Sequence, residues 1–359
     1  MKCIICSSNT LNINENLPSF SHNKFSTITK NIFFKKCKKC QIIFNKKNIK
    51  NSFFKTKQYF IENQKEHKIF FKNKFINRSS IISKLIYGQI KKKQKLKIID
   101  VGCFDGSLLK CLNQKLKKSF LYGFEKNHIC KKIFPKKNNF IFRSGKITDL
   151  PGEFDIAVFS HSLFYFQDLK KTIKNILLKL KKQGEVFIII PNINKNPFYF
   201  LMGDQKAIFT KINLINIFQF FGLNLRVLKQ NYLTNEIILY GKKGKRKKIK
   251  LKKDFIYINA IQKIKKIKKR LIDKNIINPV IVGTKVVAAA LDEFLKNKTL
   301  FFIDQNHNKI IKRFRGKKII LPKEIEENFS ILSSFTMSQK LKEYLNKKYN
   351  LKIINYDKI

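Results

Sequence analysis

The chain has 359 residues, enough for two or three domains, and 43% of them are hydrophobic, enough to pack real cores. The sequence predicts no membrane-spanning helix, since no apolar run approaches the roughly eighteen residues such a helix needs. The start MKCIICSSNT lacks the apolar core of a secretion signal, so a cytoplasmic protein is expected. The net charge is +54, from 77 basic and 23 acidic residues, which invites a nucleic-acid reading. Most of the basic residues, however, are Lys rather than the forked Arg that reads phosphates and bases. They are also spread along the whole chain. The pattern favours a lysine-rich surface that attracts anionic small molecules over a dedicated nucleic-acid face.

Residues 1–50 read as a small zinc-binding module. Cys3-x-x-Cys6 and Cys37-x-x-Cys40, separated by thirty residues, can supply four thiolates to one tetrahedral ion. Four protein ligands leave no open coordination position, so the zinc would hold the fold. A disulfide framework is disfavoured in a cytoplasmic chain. A redox dithiol is the other alternative, and two pairs favour metal over it. Residues 51–95 follow as a helical connector in which aromatics alternate with lysines: Phe53, Phe54, Tyr59, Phe60, Phe70, Phe71, Phe75. The spacing reads as helix packing, with Tyr59 and His67 as candidates for an active-site side.

Residues 96–245 carry the central pattern. Ile98 and Ile99 belong to a short buried strand that ends at Asp100. Gly102 and Gly106 bracket a tight turn, and residues 107–118 read as a helix. This arrangement brings backbone and helix N-terminus close to a ligand, with Gly102 removing a β-carbon where the ligand approaches. The next strand, residues 120–124, ends in Glu125, an acid placed to accept hydrogen bonds from ribose hydroxyls. Strands follow at 140–142, 154–159 and 185–190, with a helix at 169–180 between the last two. An antiparallel pair at 225–228 and 237–240 closes the sheet. Ser160 and His161 sit at the tip of the fourth strand, where open α/β sheets bind ligands.

The spacing Asp100-x-Gly102-x-x-x-Gly106 resembles the first motif of class I S-adenosylmethionine-dependent methyltransferases. The resemblance implies an α/β, Rossmann-like, seven-stranded core and S-adenosylmethionine as cofactor. It assigns the donor site to Asp100, Gly102, Cys103, Gly106 and Glu125, with Ser160 at the neighbouring tip. It also lays the start of the loop at Gly145 against the adenine ring. Lys146 stands where the family often has an acid, so the contact there is expected from backbone and from Ile147.

Residues 246–275 form a basic linker helix, the best nucleic-acid candidate in the chain but more simply a solvated lysine-rich helix. Residues 276–359 begin a second βα pattern: a strand at 279–282, a turn at Gly283, a helix at 286–296 and a strand ending in Asp304. With a single glycine in the turn, a small Rossmann-like domain with a structural or dimer-forming role is expected. Monomer and homodimer both stay open.

The order of zinc module, methyltransferase core and C-terminal Rossmann-like domain resembles the sugar C-methyltransferase family, which acts on nucleotide-linked keto-deoxysugars. The resemblance implies a nucleotide-linked sugar or related precursor as substrate. It also implies a histidine base after the fifth strand, and the corresponding stretch, residues 198–210, has none. Asp204 and Gln205 lie nearest that position. The candidate bases are therefore His161, Asp204 and Tyr199, in that order. The alternatives are an RNA methyltransferase gripping through the zinc module and basic helix, and a non-catalytic binding module. Against the last stand the intact Asp100, Gly102 and Glu125.

Overall fold

The computed structural model describes residues 2–22, 25–45, 68–71, 74–90, 95–244, 251–304, 313–325, 329–333, 339–351 and 353–354. Their contacts divide into two units. The first is Met1–Ile13, Phe34–Pro191 and Gln205–Asp254; the second is Asn14–Phe33, Asn192–Asp204 and Phe255–Ile359.

The first unit is built on β1 Lys97–Val101, β2 Phe120–Phe124, β3 Phe140–Arg143, β4 Phe154–Ser160, β5 Leu180–Pro191, β6 Leu223–Val227 and β7 Glu236–Lys243. They lie in the order β3-β2-β1-β4-β5-β7-β6. The first five run parallel; β7 pairs antiparallel with both β5 and β6. Side chains of the central strands alternate between two packed faces. Ile99, Val101, Ala157, Phe159, Ile188 and Ile190 enter one core; Ile98, Ile156, Val158, Phe187 and Ile189 enter the other. A strand buried on both faces needs apolar residues throughout, which is why β4 and β5 read as unbroken hydrophobic runs.

Helices α1 Arg78–Ile90 and α2 Ser107–Asn113 cover the second face, and α3 Leu169–Lys179 and α4 Lys211–Phe220 the first. Helix α2 is shorter than the 107–118 expected. The amides of Lys115 and Leu116 both donate to the Leu112 carbonyl at 3.0 Å, closing the helix in a tight turn. That turn buries Leu116 and lets the Ser119 hydroxyl accept from the Leu96 amide, so that β2 starts at Phe120.

The aromatic stretch before α1 also departs from expectation. Lys68–Phe71 and Lys74–Asn77 form an antiparallel hairpin with Phe70 opposite Phe75, so cross-strand pairing and not helical spacing sets these rings. Residues 46–67, with Tyr59 and His67, lie outside the described residues. In the cysteine module, Ile32–Cys37 pairs antiparallel with Ile43–Asn45, to which Ala207–Ile208 adds.

The second unit has its own sheet: β8 Pro279–Val282, β9 Phe302–Ile303, β10 Arg313–Phe314, β11 Lys317–Ile320, β12 Ser330–Leu332 and β13 Ile353–Ile354. The order is β10-β11-β9-β8-β12-β13, parallel except at the β10–β11 edge. Helix α5 Ile256–Asp273, within the basic stretch, buries a stripe of Ala260, Ile261, Ile264, Ile267 and Leu271 beneath its lysines. Helix α6 Val286–Phe294 is nearly all buried. Its Asp292 is 1% exposed and held by Arg315 at 2.8 Å and Lys317 at 2.7 Å. Helix α7 spans Gln339–Tyr349. No described helix is long and apolar enough to cross a membrane.

Candidate functional site

The strand order reverses at β1 and β4: from there the chain builds outward in opposite directions, which opens a crevice at their C-terminal tips. After β1 the turn is tied down by backbone bonds. The amides of Gly102 and Cys103 donate to the Phe124 carbonyl at 2.7 and 3.2 Å, and the Gly106 amide donates to the Cys103 carbonyl at 2.9 Å. The Phe104 amide donates to Glu125 Oε2 at 3.2 Å, and the Ser107 amide to Asp105 Oδ1 at 2.9 Å. These amides are satisfied within the protein, so the turn is not the anion cradle that a strand–glycine–helix unit can form.

What the turn assembles is acidic. Asp100 ends β1, Asp105 lies in the turn and Glu125 follows β2. Asp100 is 2% exposed, and its Oδ1 has no hydrogen-bond partner among the described residues. Burial, then the charges of Glu125 and Asp105, push Asp100 up from 3.8 to about 7, against a downward pull from Arg78. Glu125 is also raised by burial, opposed by the amides of Asn127 and Phe104 that donate to it. Buried carboxylates that destabilise one another fit a cationic ligand, whose charge relieves the repulsion. Asp105 enters this cluster without having been singled out from the sequence as a ligand.

Gly102 has φ 86, and a β-carbon there would lie 2.4 Å from Ser162 Cβ. The missing side chain is thus required by Ser162, whose hydroxyl donates to the Val101 carbonyl across the β1–β4 crevice, and not only by a ligand. Gly106, at φ 71, faces the Phe134 ring in the same way. Cys103 is buried, with its sulfur against Gly123 and its thiol pushed well up by burial; only its backbone belongs to the turn's outer surface. Lys146 is exposed and immediately precedes the short helix Ile147–Asp149; Ile147 is half-buried against the core.

At the tips of β4, β5 and β7 a second cluster forms. Ser160 ends β4, His161 follows it, and Glu236 opens β7 opposite Pro191. Arg78, the first residue of α1, grips Glu236 with both arms of its guanidinium: Nε to Oε1 at 2.6 Å and Nη2 to Oε2 at 2.8 Å. Nη1 and Nη2 also donate to Ser160 Oγ at 3.2 and 3.3 Å. His161 Nε2 lies 3.4 Å from Glu236 Oε2. Burial alone would raise Glu236, but Arg78 and His161 hold its carboxyl well below the usual range, so it is ionised. His161 has φ 56, in the left-handed region, with its amide donating to the Ile189 carbonyl at 3.0 Å. A non-glycine residue held there is uncommon and concentrates at functional sites. Arg78 and Glu236 carry no sequence motif that would have found them.

The other two candidate bases belong to the second unit, whereas His161 belongs to the first. Asp204 is half-buried, accepts from the His22 amide and is pushed up to about 6 by burial. Tyr199 is half-buried in the helix Pro197–Leu201. Its neighbours Phe198 and Phe200 are fully buried, with Phe198 against Phe294 at 6.4 Å.

The four paired cysteines converge. Cys3 and Cys40 sulfurs are 3.6 Å apart, Cys6 and Cys37 sulfurs 3.5 Å, and all four lie within 4.8 Å of one another. A tetrahedral ion with 2.3 Å bonds places its sulfurs about 3.8 Å apart, so the cluster fits zinc with little movement. The amides of Ile5, Lys39 and Cys40 donate to these sulfurs at 3.3–3.4 Å, the orientation that favours thiolates. Cys37 is the sulfur lowered most by its neighbours, Cys3 first.

Residues 74–226 match a family model described as a methyltransferase domain. No curated protein matches the chain. Among solved structures, the chain is similar to a Nostoc punctiforme protein assigned as an O-methyltransferase, at 14% identity and TM-score 0.39, over 46% of this chain and 55% of that one. It is also similar to the CurJ carbon methyltransferase, at 10% identity and TM-score 0.39, over 46% of this chain and 54% of that one. A third is CalO1, a methyltransferase in calicheamicin biosynthesis, at 16% identity and TM-score 0.37, over 45% of this chain and 54% of that one. The chain thus spans about half the length of these structures.

Proposed function

We propose that the protein is a class I S-adenosylmethionine-dependent methyltransferase, built on the methyltransferase domain that residues 74–226 match, and that it methylates a small anionic metabolite at carbon or oxygen. A nucleotide-linked sugar or a related secondary-metabolite precursor is the acceptor favoured. The observation that carries the donor assignment is the convergence of Asp100, Asp105 and Glu125 in a chain of net charge +54. In so basic a protein, a buried acidic crevice selects a cation, and the donor is a sulfonium with an ammonium group.

When bound, S-adenosylmethionine supplies a methyl group for in-line displacement. Glu125 would accept from the ribose hydroxyls, Asp100 and Asp105 would balance the positive charge, and Gly102, Cys103 and Gly106 would present backbone. Lys146 and Ile147 would flank the adenine. His161 would take the acceptor's proton, with Ser160 beside it. Asp204 and Tyr199 rank behind it, because neither stands at a strand tip of the central sheet as His161 does. Zinc held by Cys3, Cys6, Cys37 and Cys40 would be structural.

The acceptor class rests on two supports. The basic surface raises the local concentration of anions. The order of four-cysteine cluster, methyltransferase sheet and second parallel sheet also resembles that of the sugar C-methyltransferase family. The test incubates the full-length protein with methyl-labelled donor and a cell extract, followed by mass spectrometry. Label in an anionic small molecule is expected; label in RNA overturns the acceptor class. Once a product is in hand, His161→Ala should lower turnover by about 10²-fold or more with donor affinity unchanged.

A further inference from the structure

We propose that the zinc site and the Arg315 cluster of the second unit are coupled through the loop they share, Asn14–Phe33. Metal on the cysteines makes the loop easier to fasten, and the fastened loop makes the metal bind more tightly. The proposal rests on the reading of Cys3, Cys6, Cys37 and Cys40 as zinc ligands. It follows from the course of the chain. Thirty residues separate Cys6 from Cys37, whose sulfurs lie 3.5 Å apart. The middle of that stretch, Asn14–Phe33, belongs to the second unit, while the cysteines on either side belong to the first. A metal on the four sulfurs therefore closes a loop whose body is fastened elsewhere.

The fastening is built around one guanidinium. Arg315 stands in the turn between β10 and β11. Its Nε meets Asp292 Oδ2 at 2.8 Å and its Nη2 meets Glu293 Oε2 at 2.6 Å, both on α6. Nη1 serves the loop, donating to the Phe25 carbonyl at 2.9 Å and to Thr27 Oγ1 at 3.3 Å. Thr27 Oγ1 in turn donates to Glu293 Oε2 at 3.0 Å, and the guanidinium lies 5.5 Å from the centre of the Phe20 ring. The loop adds its own order. Ser19–Phe20 pairs antiparallel with Thr27–Thr29, and Leu17 and Phe20 are fully buried. Phe25 meets Phe314 at 5.9 Å, and Glu15 pairs with Lys265 of α5 at 2.6 Å. A clamp serving the second sheet alone would need only Nε and Nη2; Nη1 and the ring contact join it to the loop.

Chain entropy supplies the coupling. A segment tethered at both ends has fewer conformations to lose on docking than one tethered at a single end. Metal on the cysteines brings the two stems of the loop together, so less entropy is lost when Phe20, Phe25 and Thr27 settle on Arg315. The converse holds by linkage: a docked loop keeps the two CxxC pairs near one another, and the ligand set is partly assembled before the ion arrives. The chain alone carries this effect, and no contact between the units is needed.

The test measures zinc affinity of the reduced full-length protein by competition with a chromophoric chelator, and needs no acceptor or turnover. Arg315→Gln should weaken zinc binding by about tenfold. Thr27→Val removes both of the Thr27 bonds at an exposed position, leaves the buried Asp292 pair intact, and should weaken it by about threefold. Thr27→Val decides the matter by itself if Arg315→Gln does not fold. Ile281→Val trims the buried core of the same unit away from the loop and should leave zinc affinity unchanged. In the reverse direction, stripping zinc from the wild type should speed hydrogen exchange in residues 25–33 by about fivefold or more. Unchanged affinity in Thr27→Val, equal weakening in Ile281→Val, or exchange in 25–33 indifferent to zinc overturns the coupling while the metal reading stands. Wild-type protein that takes up no zinc overturns both.

Discussion

Asp100 ties the acidic crevice to pH. Below about pH 3 its carboxyl is neutral in both folded and unfolded chains. As pH rises towards 7, the unfolded chain ionises first, because the folded group is pushed up from 3.8 to about 7. The ligand-free protein therefore loses stability over that window. Asp100→Asn should stabilise the ligand-free protein at pH 8, by on the order of 1–4 kcal/mol, and the gain should vanish below about pH 3. Scanning calorimetry at several pH values checks this; an equal gain at every pH contradicts it. Glu125→Ala acts on the ligand instead. On the proposed donor assignment it removes charge-assisted hydrogen bonds and should weaken S-adenosylhomocysteine binding by about 1.5–3 kcal/mol in titration calorimetry. Unchanged affinity would place the donor elsewhere. Asp100 and Glu125 were legible because each ends an apolar run. Arg78 and Glu236 were not: they are 158 residues apart, and Glu236 lies beyond the stretch that matches the methyltransferase family.

Among the elements, the four-cysteine cluster is the one proposed to hold a metal. Thiols this close in a buried setting repel once ionised, and a metal turns that repulsion into a bond. One zinc per chain is expected by metal analysis of freshly purified protein. Cys37→Ser should lose it and lower the unfolding temperature by about 5 °C or more. Zinc-free wild-type protein of full stability would contradict this. The strands of the central sheet could be read from their apolar runs, since burial on both faces leaves no other composition. The hairpin Lys68–Phe71 and Lys74–Asn77 could not, because its aromatic residues fit a helical spacing as well as a strand and only the pairing of Phe70 with Phe75 decides. The end of α2 was likewise set by a turn that buries Leu116.

Across the whole molecule, like charges far outnumber opposite ones. A net charge of +54 makes the folded chain repel itself, and salt screens that repulsion over about 10 Å at 0.1 M. Raising sodium chloride from about 10 to about 150 mM should therefore raise the unfolding temperature by a few degrees, measurable by differential scanning fluorimetry. A fall would mean that attractive pairs, such as those of Asp292 with Arg315 and Lys317, outweigh the repulsion. The same surface charge sharpens the contrast with the acidic crevice at Asp100, Asp105 and Glu125.

From the sequence alone followed whatever depends on residues near one another in the chain: apolar runs that must be strands, the glycine turn at Gly102 with its acids, and the two CxxC pairs. Such features are local, so spacing is enough to reveal them. Tertiary structure decided what depends on residues that meet only after folding. It gave Gly102 a second reason in Ser162, and it placed Asp204 and Tyr199 in a different unit from His161. It also brought Arg78, Ser160 and Glu236 together from separate elements around one imidazole. Electrostatics and packing act through space, and for those contacts distance along the chain carries no information.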